Sequence, residues 1–336
     1  MEYPVWQLST LAGGFWIALI ATTHVFVSHF AVGGGLFLVL TESRARRENS
    51  SELLEFVRGH TWFFLLLTMV FGGISGVGIW FIISVLAPAA TSSLIHIFVW
   101  GWATEWVFFI GEIVALLIYH YSFQRMKPRD HMVVGWLYFL FAWLSLFIIN
   151  GVIGFMLTPG DWLTTENFWD GFFNPTFWPS LVFRSLMAFM LAGLFGFLTA
   201  LRIPGEATRT LAMRMCASWA MISLPLMLLA GWWYLSVLPA DVHAFITQKS
   251  QEITPYFKIL PVASVVVMAG SLVMALRLPR GPRMVVAGIL LVAGFAIVGA
   301  FEFVREAGRK PWIIHGHTWA QGVRLEQVGE LDEPFL

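Results

Sequence analysis

The stretch LIATTHVFVSHFAVGGGLFLVLTES, residues 19–43, is a mostly apolar run with two embedded histidines, His24 and His29, and three consecutive glycines. About 20 such residues in a helix cross a hydrocarbon core of ~30 Å, so this run predicts a membrane-spanning helix. Similar runs recur about eight times. We place the spans near 14–42, 59–86, 94–122, 132–158, 178–202, 211–238, 257–277 and 282–305.

The composition agrees with this reading of the apolar runs. The 336 residues are 58% hydrophobic and only 12% charged, with 31 Phe and 17 Trp, which is far from the profile of a soluble domain. The sequence therefore predicts an all-α polytopic membrane protein with a single membrane domain, residues 1–336, whose residues 306–336 form a tail on the outer side.

Loop charges predict the orientation in the membrane. Every second connection is basic, whereas segments 87–93, 159–177 and 239–256 are neutral or acidic. By the positive-inside rule the basic connections are cytoplasmic, so both termini lie outside. The basic segments are 44–58, 125–130, the stretch with Arg202, Arg209 and Arg214, and 277–283.

The same counts exclude several classes of function. The formal net charge is zero and no basic cluster is interleaved with aromatic residues, so we expect no nucleic-acid partner. A single cysteine, Cys216, excludes an internal disulfide, a covalent haem c and a Cys-rich metal site. Residues 1–13 lack a basic region and a cleavage signal, so we expect them to be mature chain.

Ionisable residues occur near the outer ends of five predicted spans. Placing acid, base and imidazole on one side of a membrane domain favours a cofactor site or a proton path over scattered structural polar groups. The residues concerned are His24, Glu105, Glu112, Arg184, Lys258, Glu302 and Glu306.

Each candidate also has a plainer interpretation. His24 can ligate a metal or haem iron, but a lone histidine in a membrane more often hydrogen-bonds a neighbouring helix. Its neighbour His29, five residues on, points to another face and is not a natural second ligand. Glu105 and Glu112 are seven apart and share a helix face, which suits proton transfer or a pair of protonated, hydrogen-bonded carboxyls.

Two further patterns bear on packing and on the outer face. The glycines at 33–35 and 72–78 most simply permit close approach of helices. The segment FEFVREAGRKPW, 301–312, ends an apolar run with several charges that form either a wall of a site or an ordinary interfacial helix end. His120 and His131 flank a basic loop, so we expect them to be solvated or to face lipid headgroups.

At this point several motifs resemble subunit I of the cytochrome bd-type quinol oxidases. EAGRKPW at 306–312 resembles that family's GRQPW signature with its preceding glutamate, and residues 19–43 resemble its first helix with the ligand histidine. Residues 130–154 are similar to its fourth helix, and residues 172–185 to the start of its fifth. The order and spacing of these motifs hold over roughly residues 15–320.

The resemblance implies two four-helix bundles that carry haem. His24 matches the histidine ligand of the high-spin haem pair, and Glu306 matches the glutamate ligand. Glu105 and Glu112 resemble the family's carboxylates of the third helix, which are eight apart rather than seven. The remaining matches are Arg309, Lys310 and Trp312, which fall where the family contacts haem propionates, and Lys258, a cation at a family arginine position.

Two departures from the family pattern change the expectation. Arg184 and Leu260 stand where the family has the histidine and methionine of its low-spin haem, and the long quinol-binding loop is absent. Neither side chain ligates iron, so we expect no low-spin haem of the usual kind, and quinol is doubtful as the donor.

The sequence therefore predicts a haem-binding redox subunit of a bd-oxidase-like complex in a bacterial or archaeal cytoplasmic membrane, surrounded by lipid. It would carry one or two haems, of b type or alternatively d type. Its electrons would come from other membrane subunits or a periplasmic c-type cytochrome. The alternative is a non-catalytic paralogue that serves as a structural partner, with Arg184 paired to Glu302 in the vacated pocket.

Overall fold

The computed structural model describes residues 5–6, 13–249, 253–276, 280–309 and 312–319. Among these residues, eight helices are long and apolar enough to cross a membrane. This confirms the predicted all-α membrane fold. A single short antiparallel hairpin, β1 (Trp312–Ile314) with β2 (Thr318–Trp319), is the only strand pairing in the described part of the chain.

The eight spans are joined by short helices and turns. The second span is built from α2, a π-helical turn at Leu66–Gly72, and α3. A second π-helical turn, Phe245–Lys249, follows α11. The helices are α1 (Gly13–Arg47), α2 (Ser51–Leu65), α3 (Gly73–Leu86), α4 (Pro88–Ile97), α5 (Val99–Ser122), α6 (Pro128–Phe155), α7 (Trp162–Thr165), α8 (Phe168–Phe172), α9 (Phe177–Ala200), α10 (Glu206–Ser236), α11 (Ala240–Ala244), α12 (Thr254–Ala275) and α13 (Arg280–Gly308).

The spans pack as two groups of four that meet along α1 and α9. One group holds α1, α2 with α3, α5 and α6, and the other holds α9, α10, α12 and α13. Helix α9 contacts α1, α6, α10 and α13, and 72% of its most apolar window is buried inside the protein. Helices α1 and α9 therefore form the joint between the two groups.

The three glycines of α1 make this joint possible. A Cβ on Gly33 would overlap the backbone carbonyl of Ala188 in α9, so α1 and α9 touch backbone to backbone. A Cβ on Gly34 would overlap the Phe64 ring, and one on Gly35 the Tyr138 ring. Three consecutive glycines thus admit three different helices, which confirms the prediction that they permit close approach.

The two ends of the helical domain differ in character. The end that we call the basic end carries the connections 47–51, 122–128 and 200–206. The opposite end, the cap end, carries residues 156–176 and the hairpin 312–319. In the cap end, Thr158 Oγ1 lies 2.7 Å from Thr176 Oγ1, and the Asn174 amide donates to the Gly151 carbonyl at 3.0 Å, so this segment is tied to the end of α6.

The expectation that His131 is solvated is wrong. Its side chain is 0% exposed, and its Nδ1 lies 2.9 Å from an oxygen of Glu42, which is also fully buried. Its Nε2 lies 2.8 Å from the backbone carbonyl of Tyr119. Because both ring nitrogens face acceptors, the charged imidazolium, which donates from both, satisfies this site.

Glu42 is the centre of this buried group at the basic end. Its carboxylate also accepts hydrogen bonds from the Tyr119 hydroxyl at 2.5 Å and from Arg46 Nε at 2.6 Å. We call Glu42, Arg46, Tyr119 and His131 the basic-end network. It ties α1 to α5 and α6, whereas His120 lies half-buried beside the Trp62 ring at 5.4 Å.

Candidate cofactor site

A line of alternating charges runs from the middle of the helical domain toward the cap end. Arg184 Nη1 on α9 lies 2.9 Å from Glu302 Oε1 on α13, and Glu302 Oε2 accepts from Arg305 at 2.9 Å. Arg305 also binds Glu306 Oε1 at 2.5 Å, and Glu306 Oε2 binds Arg309. We call these five residues the charge ladder.

Helical periodicity explains most of the ladder. Residues 302, 305, 306 and 309 are three and four apart and therefore share one face of α13. Arg184 completes the line from α9, where its guanidinium lies 5.3 Å from the centre of the Phe301 ring. The predicted pairing of Arg184 with Glu302 is confirmed, and both side chains are 3% exposed.

The inner end of the ladder has polar atoms without a partner among the described residues. They are Arg184 Nε, Arg184 Nη2 and His29 Nε2. Glu302 Oε1 is in the ion pair with Arg184 but accepts no hydrogen bond from the described residues. His29 is buried, and its Nδ1 lies 2.9 Å from the Val25 carbonyl. It interacts electrostatically with Arg184 and Glu302, so it faces the ladder, a position that its spacing from His24 did not indicate.

His24 lies at the contact of α1 with α3, half-buried. Its Nδ1 is 3.1 Å from Ser75 Oγ, and a Cβ on Gly76 would lie 3.1 Å from its Cε1. The second glycine run therefore lets α3 pass close to the imidazole. His29 interacts electrostatically with His24 as well as with Arg184 and Glu302 of the ladder.

Glu105 and Glu112 face α6 from one side of α5, as their spacing predicts. Ser145 donates to Glu105 Oε1 at 2.6 Å, and the Tyr138 hydroxyl lies 3.2 Å from Glu112 Oε1. Both carboxyls are half-buried and interact electrostatically with each other. A line of carboxyl and hydroxyl groups is chemically able to hold and pass protons.

Of the remaining predicted residues, Lys258 lies apart from these groups, whereas Arg309 is the outer end of the charge ladder. The Lys258 side chain is exposed on α12 and has no hydrogen bond or ion pair within the described residues. Trp312 begins β1, with its ring 4.7 Å from that of His315, and Arg309 Nη1 lies 2.9 Å from Met156 Sδ. Lys310 lies outside the described residues. The single predicted cluster is thus three groups, at α1–α3, α5–α6 and α9–α13.

The hairpin is held to the cap end by an ion pair outside the spans. His315 Nε2 lies 2.8 Å from Asp241 Oδ2. Partial burial raises the pKa of Asp241, but the hydrogen bond and charge of His315 outweigh it, so the net pKa is lowered. The pair therefore stabilises hairpin docking above the ordinary pKa of Asp, and this contribution disappears as the pH falls through the lowered value.

We expect acidification to loosen the hairpin. The rate of amide exchange at residues 312–319 should be a few-fold higher in strongly acidic buffer than in neutral buffer. The increase is small because a surface ion pair contributes about 0–1 kcal/mol. Asp241→Asn should reproduce that increase at neutral pH and remove the pH step. An unchanged step in Asp241→Asn would show that another group controls hairpin docking.

The residues present fit one kind of haem and not another. An imidazole and a carboxylate can each serve as the protein ligand of a haem iron, and arginines can bind haem propionates. Arg184 is engaged in an ion pair with Glu302, and Leu260 is apolar. Neither side chain can ligate iron, so a haem with two ligands at those positions does not fit. Among the described residues, no three His, Cys, Asp or Glu side chains gather as a metal site of their own.

Comparison with known proteins now places the chain. The sequence model "Cytochrome bd terminal oxidase subunit I" matches residues 15–241. A chain of the structure of bd oxidase from Geobacillus thermodenitrificans superposes with a TM-score of 0.77 at 18% identity, covering 93% of this chain and 90% of that one. No curated protein matches the sequence. The chain is therefore a multi-pass membrane protein that belongs to the cytochrome bd terminal oxidase subunit I family.

Proposed function

We propose that this chain is a haem-binding electron-transfer subunit of a bd-oxidase-like respiratory complex in a bacterial or archaeal cytoplasmic membrane. The observation that supports the proposal is the charge ladder, in which a carboxylate and an arginine, Glu306 and Arg309, are paired within the segment that resembles the family signature. A bound haem would supply one-electron chemistry and a place for O2 to be reduced. By family resemblance it would be of b type, with d as the alternative.

His24 and Glu306 are the proposed iron ligands. Both carboxylate oxygens of Glu306 are held by arginines, Oε1 by Arg305 and Oε2 by Arg309. Arg309 would release Oε2 by turning to a propionate, which it can bind bidentately. We assign Lys310 and Trp312 to the same propionates, and Lys258 to a cofactor contact from the exposed face of α12.

Glu105 and Glu112 are the proposed proton carriers. Their hydrogen bonds to Ser145 and Tyr138 hold the carboxyl groups along the α5–α6 contact. Reduction of O2 consumes protons, so carboxyl groups held in line across the domain suit that supply. Their role is to accept, hold and pass a proton; they do not touch the iron in this proposal.

Electrons would arrive from another protein. The connection between Ser236 and Thr254 holds, in its described part, only α11 and a π-helical turn, which leaves no long loop to receive quinol in the family manner. We therefore propose a partner membrane subunit or a periplasmic c-type cytochrome as donor, reaching the ladder from the cap end.

One observation favours a second function. The Arg184–Glu302 pair occupies the position of the family's low-spin haem ligand with a buried, mutually neutralising contact. A chain that replaces a haem by an ion pair can also serve as a non-catalytic structural partner of another haem or quinone-linked subunit.

A haem assay separates the two functions. The native complex, purified from membranes, should give a pyridine haemochromogen spectrum with one or two haems per copy of this chain. His24→Ala should lose at least one haem, because it removes the proposed imidazole ligand, while the complex still assembles. His96→Ala, which removes an exposed histidine, is the matched control. Absence of haem from the wild-type chain would contradict the haem-binding function and support the structural-partner function.

A further inference from the structure

The charge ladder as a whole carries one more positive charge than its carboxylates balance. Three guanidinium groups, those of Arg184, Arg305 and Arg309, face two carboxylates, those of Glu302 and Glu306. The outer pair, Glu306 with Arg309, is partly exposed, whereas Arg184 and Glu302 are almost fully buried. An excess cation inside a membrane domain is costly unless an anion accompanies it.

Arg184 is the residue whose donors are free. Its Nη1 meets Glu302, but Nε and Nη2 have no partner in the described part of the chain. These two N–H groups form the side-on edge of the guanidinium, which binds a carboxylate through two parallel hydrogen bonds. A buried arginine that presents this edge without a partner is incomplete, because each unmet donor costs about 1–3 kcal/mol.

Neighbouring groups shape the place where a ligand would sit. The Phe301 ring lies against the guanidinium at 5.3 Å and stacks on Phe183 at 4.3 Å, so one side of Arg184 is closed by aromatic rings. His29 on α1 adds a buried Nε2 without a partner and interacts electrostatically with Arg184. The incomplete groups thus come from α1, α9 and α13, at the joint between the two groups of spans.

We propose that the Nε and Nη2 edge of Arg184 is a binding site for a carboxylate. A carboxylate fills both donors and cancels the excess positive charge, whereas buried water would satisfy the hydrogen bonds and leave the charge. The carboxylate has two sources: a propionate of a bound haem, which rests on the proposed function, or a free small carboxylate, which does not.

The first arm of the test uses the native complex with its haem. Carbon-13 labelling of the propionate carboxyls marks their infrared bands in a reduced-minus-oxidised difference spectrum. Arg184→Gln should shift the labelled bands. It should also lower the midpoint potential, because a nearby cation disfavours the ferric state. A tenfold change in the ferric-to-ferrous ratio corresponds to about 59 mV for one electron.

The second arm uses the same complex after haem extraction. Sodium acetate, compared with sodium chloride at equal ionic strength, should raise the unfolding temperature of the wild type but not of Arg184→Gln. Arg283→Gln is the matched control in both arms. Arg283 is likewise a buried arginine with an unpartnered Nε, but it lies at the basic end, where its Nη2 donates to the Leu276 carbonyl at 2.9 Å.

Each result bears on the proposal. Band shifts in Arg184→Gln and not in Arg283→Gln support a propionate, and stabilisation by acetate that requires Arg184 supports a free carboxylate. If neither effect appears, the proposal is wrong and water is the occupant. A wild type without haem would contradict the proposed function but not the carboxylate site, because the acetate experiment does not need haem. If Arg184→Gln does not fold, Arg184→Lys, which keeps the charge but not the two-donor edge, should weaken either effect about tenfold.

Discussion

Replacing Gly33 by alanine should largely prevent the two groups of spans from joining. The new Cβ would overlap the backbone carbonyl of Ala188, and a carbonyl inside α9 cannot move aside as a flexible side chain can. Overpacked sites typically cost about 1–3 kcal/mol, and a backbone-to-backbone contact belongs at or above the upper limit. We therefore expect Gly33→Ala to lower the unfolding temperature strongly and to reduce the amount of monodisperse protein on gel filtration.

A matched glycine provides the control for this prediction. Gly73 is also helical, but a Cβ there meets nothing within 4 Å. Gly73→Ala should be neutral or stabilise the protein slightly, because alanine favours a helix over glycine by about 1 kcal/mol. Equal behaviour of the two variants would show that α1 and α9 are not in backbone contact.

Glu42→Leu should be the most destabilising change at the basic end. The carboxylate accepts from Tyr119, His131 and Arg46, and its removal leaves a buried imidazolium and a buried hydroxyl without their acceptor. Removing one member of a buried ion pair costs about 3–5 kcal/mol. The measurement is the free energy of unfolding in mixed micelles with increasing SDS.

Two further variants separate the network from the loss of a charge. Glu48→Leu removes a carboxylate just past the end of the same helix, which pairs with Arg44 at 2.8 Å on the surface, where such pairs contribute about 0–1 kcal/mol. The triple variant Glu42→Leu, His131→Leu, Tyr119→Phe removes the two buried donors together with the acceptor, leaves only the part-exposed Arg46, and should recover much of the lost stability. A triple variant as unstable as Glu42→Leu would contradict the ion-pair explanation.

The sequence predicted those features that depend on local composition. Apolar runs of about 20 or more residues mark the spans because the hydrocarbon core sets their length. The glycines at 33–35 indicated close helix contacts, and the spacing of Glu105 and Glu112 indicated a shared face. The pairing of Arg184 with Glu302 could be predicted because a buried arginine, at a position where the family has an iron ligand, needs a counter-ion.

Features that depend on distant partners were beyond the sequence. His131 follows a run of charged residues and looks solvated, yet it is buried because Glu42, on the first span, accepts a hydrogen bond from its ring. His29 faces the ladder because α1, α9 and α13 meet there, which no spacing within α1 reveals. Phe98 separates α4 from α5 within a continuous apolar run, because its fully buried ring packs on Phe155 at 4.8 Å.

The Arg184–Glu302 pair has a consequence for biosynthesis. Helix α9 is made three spans before α13, so Arg184 must enter the bilayer before its counter-ion exists. An arginine in a membrane-spanning helix adds up to about 2.5–3.5 kcal/mol, the value for the helix centre, to the free energy of membrane insertion. Until α13 arrives, the nascent chain carries an unneutralised cation at the seam between its halves, and a chain truncated before α13 keeps it. The pair thus makes completion of the last span a condition for a stable product.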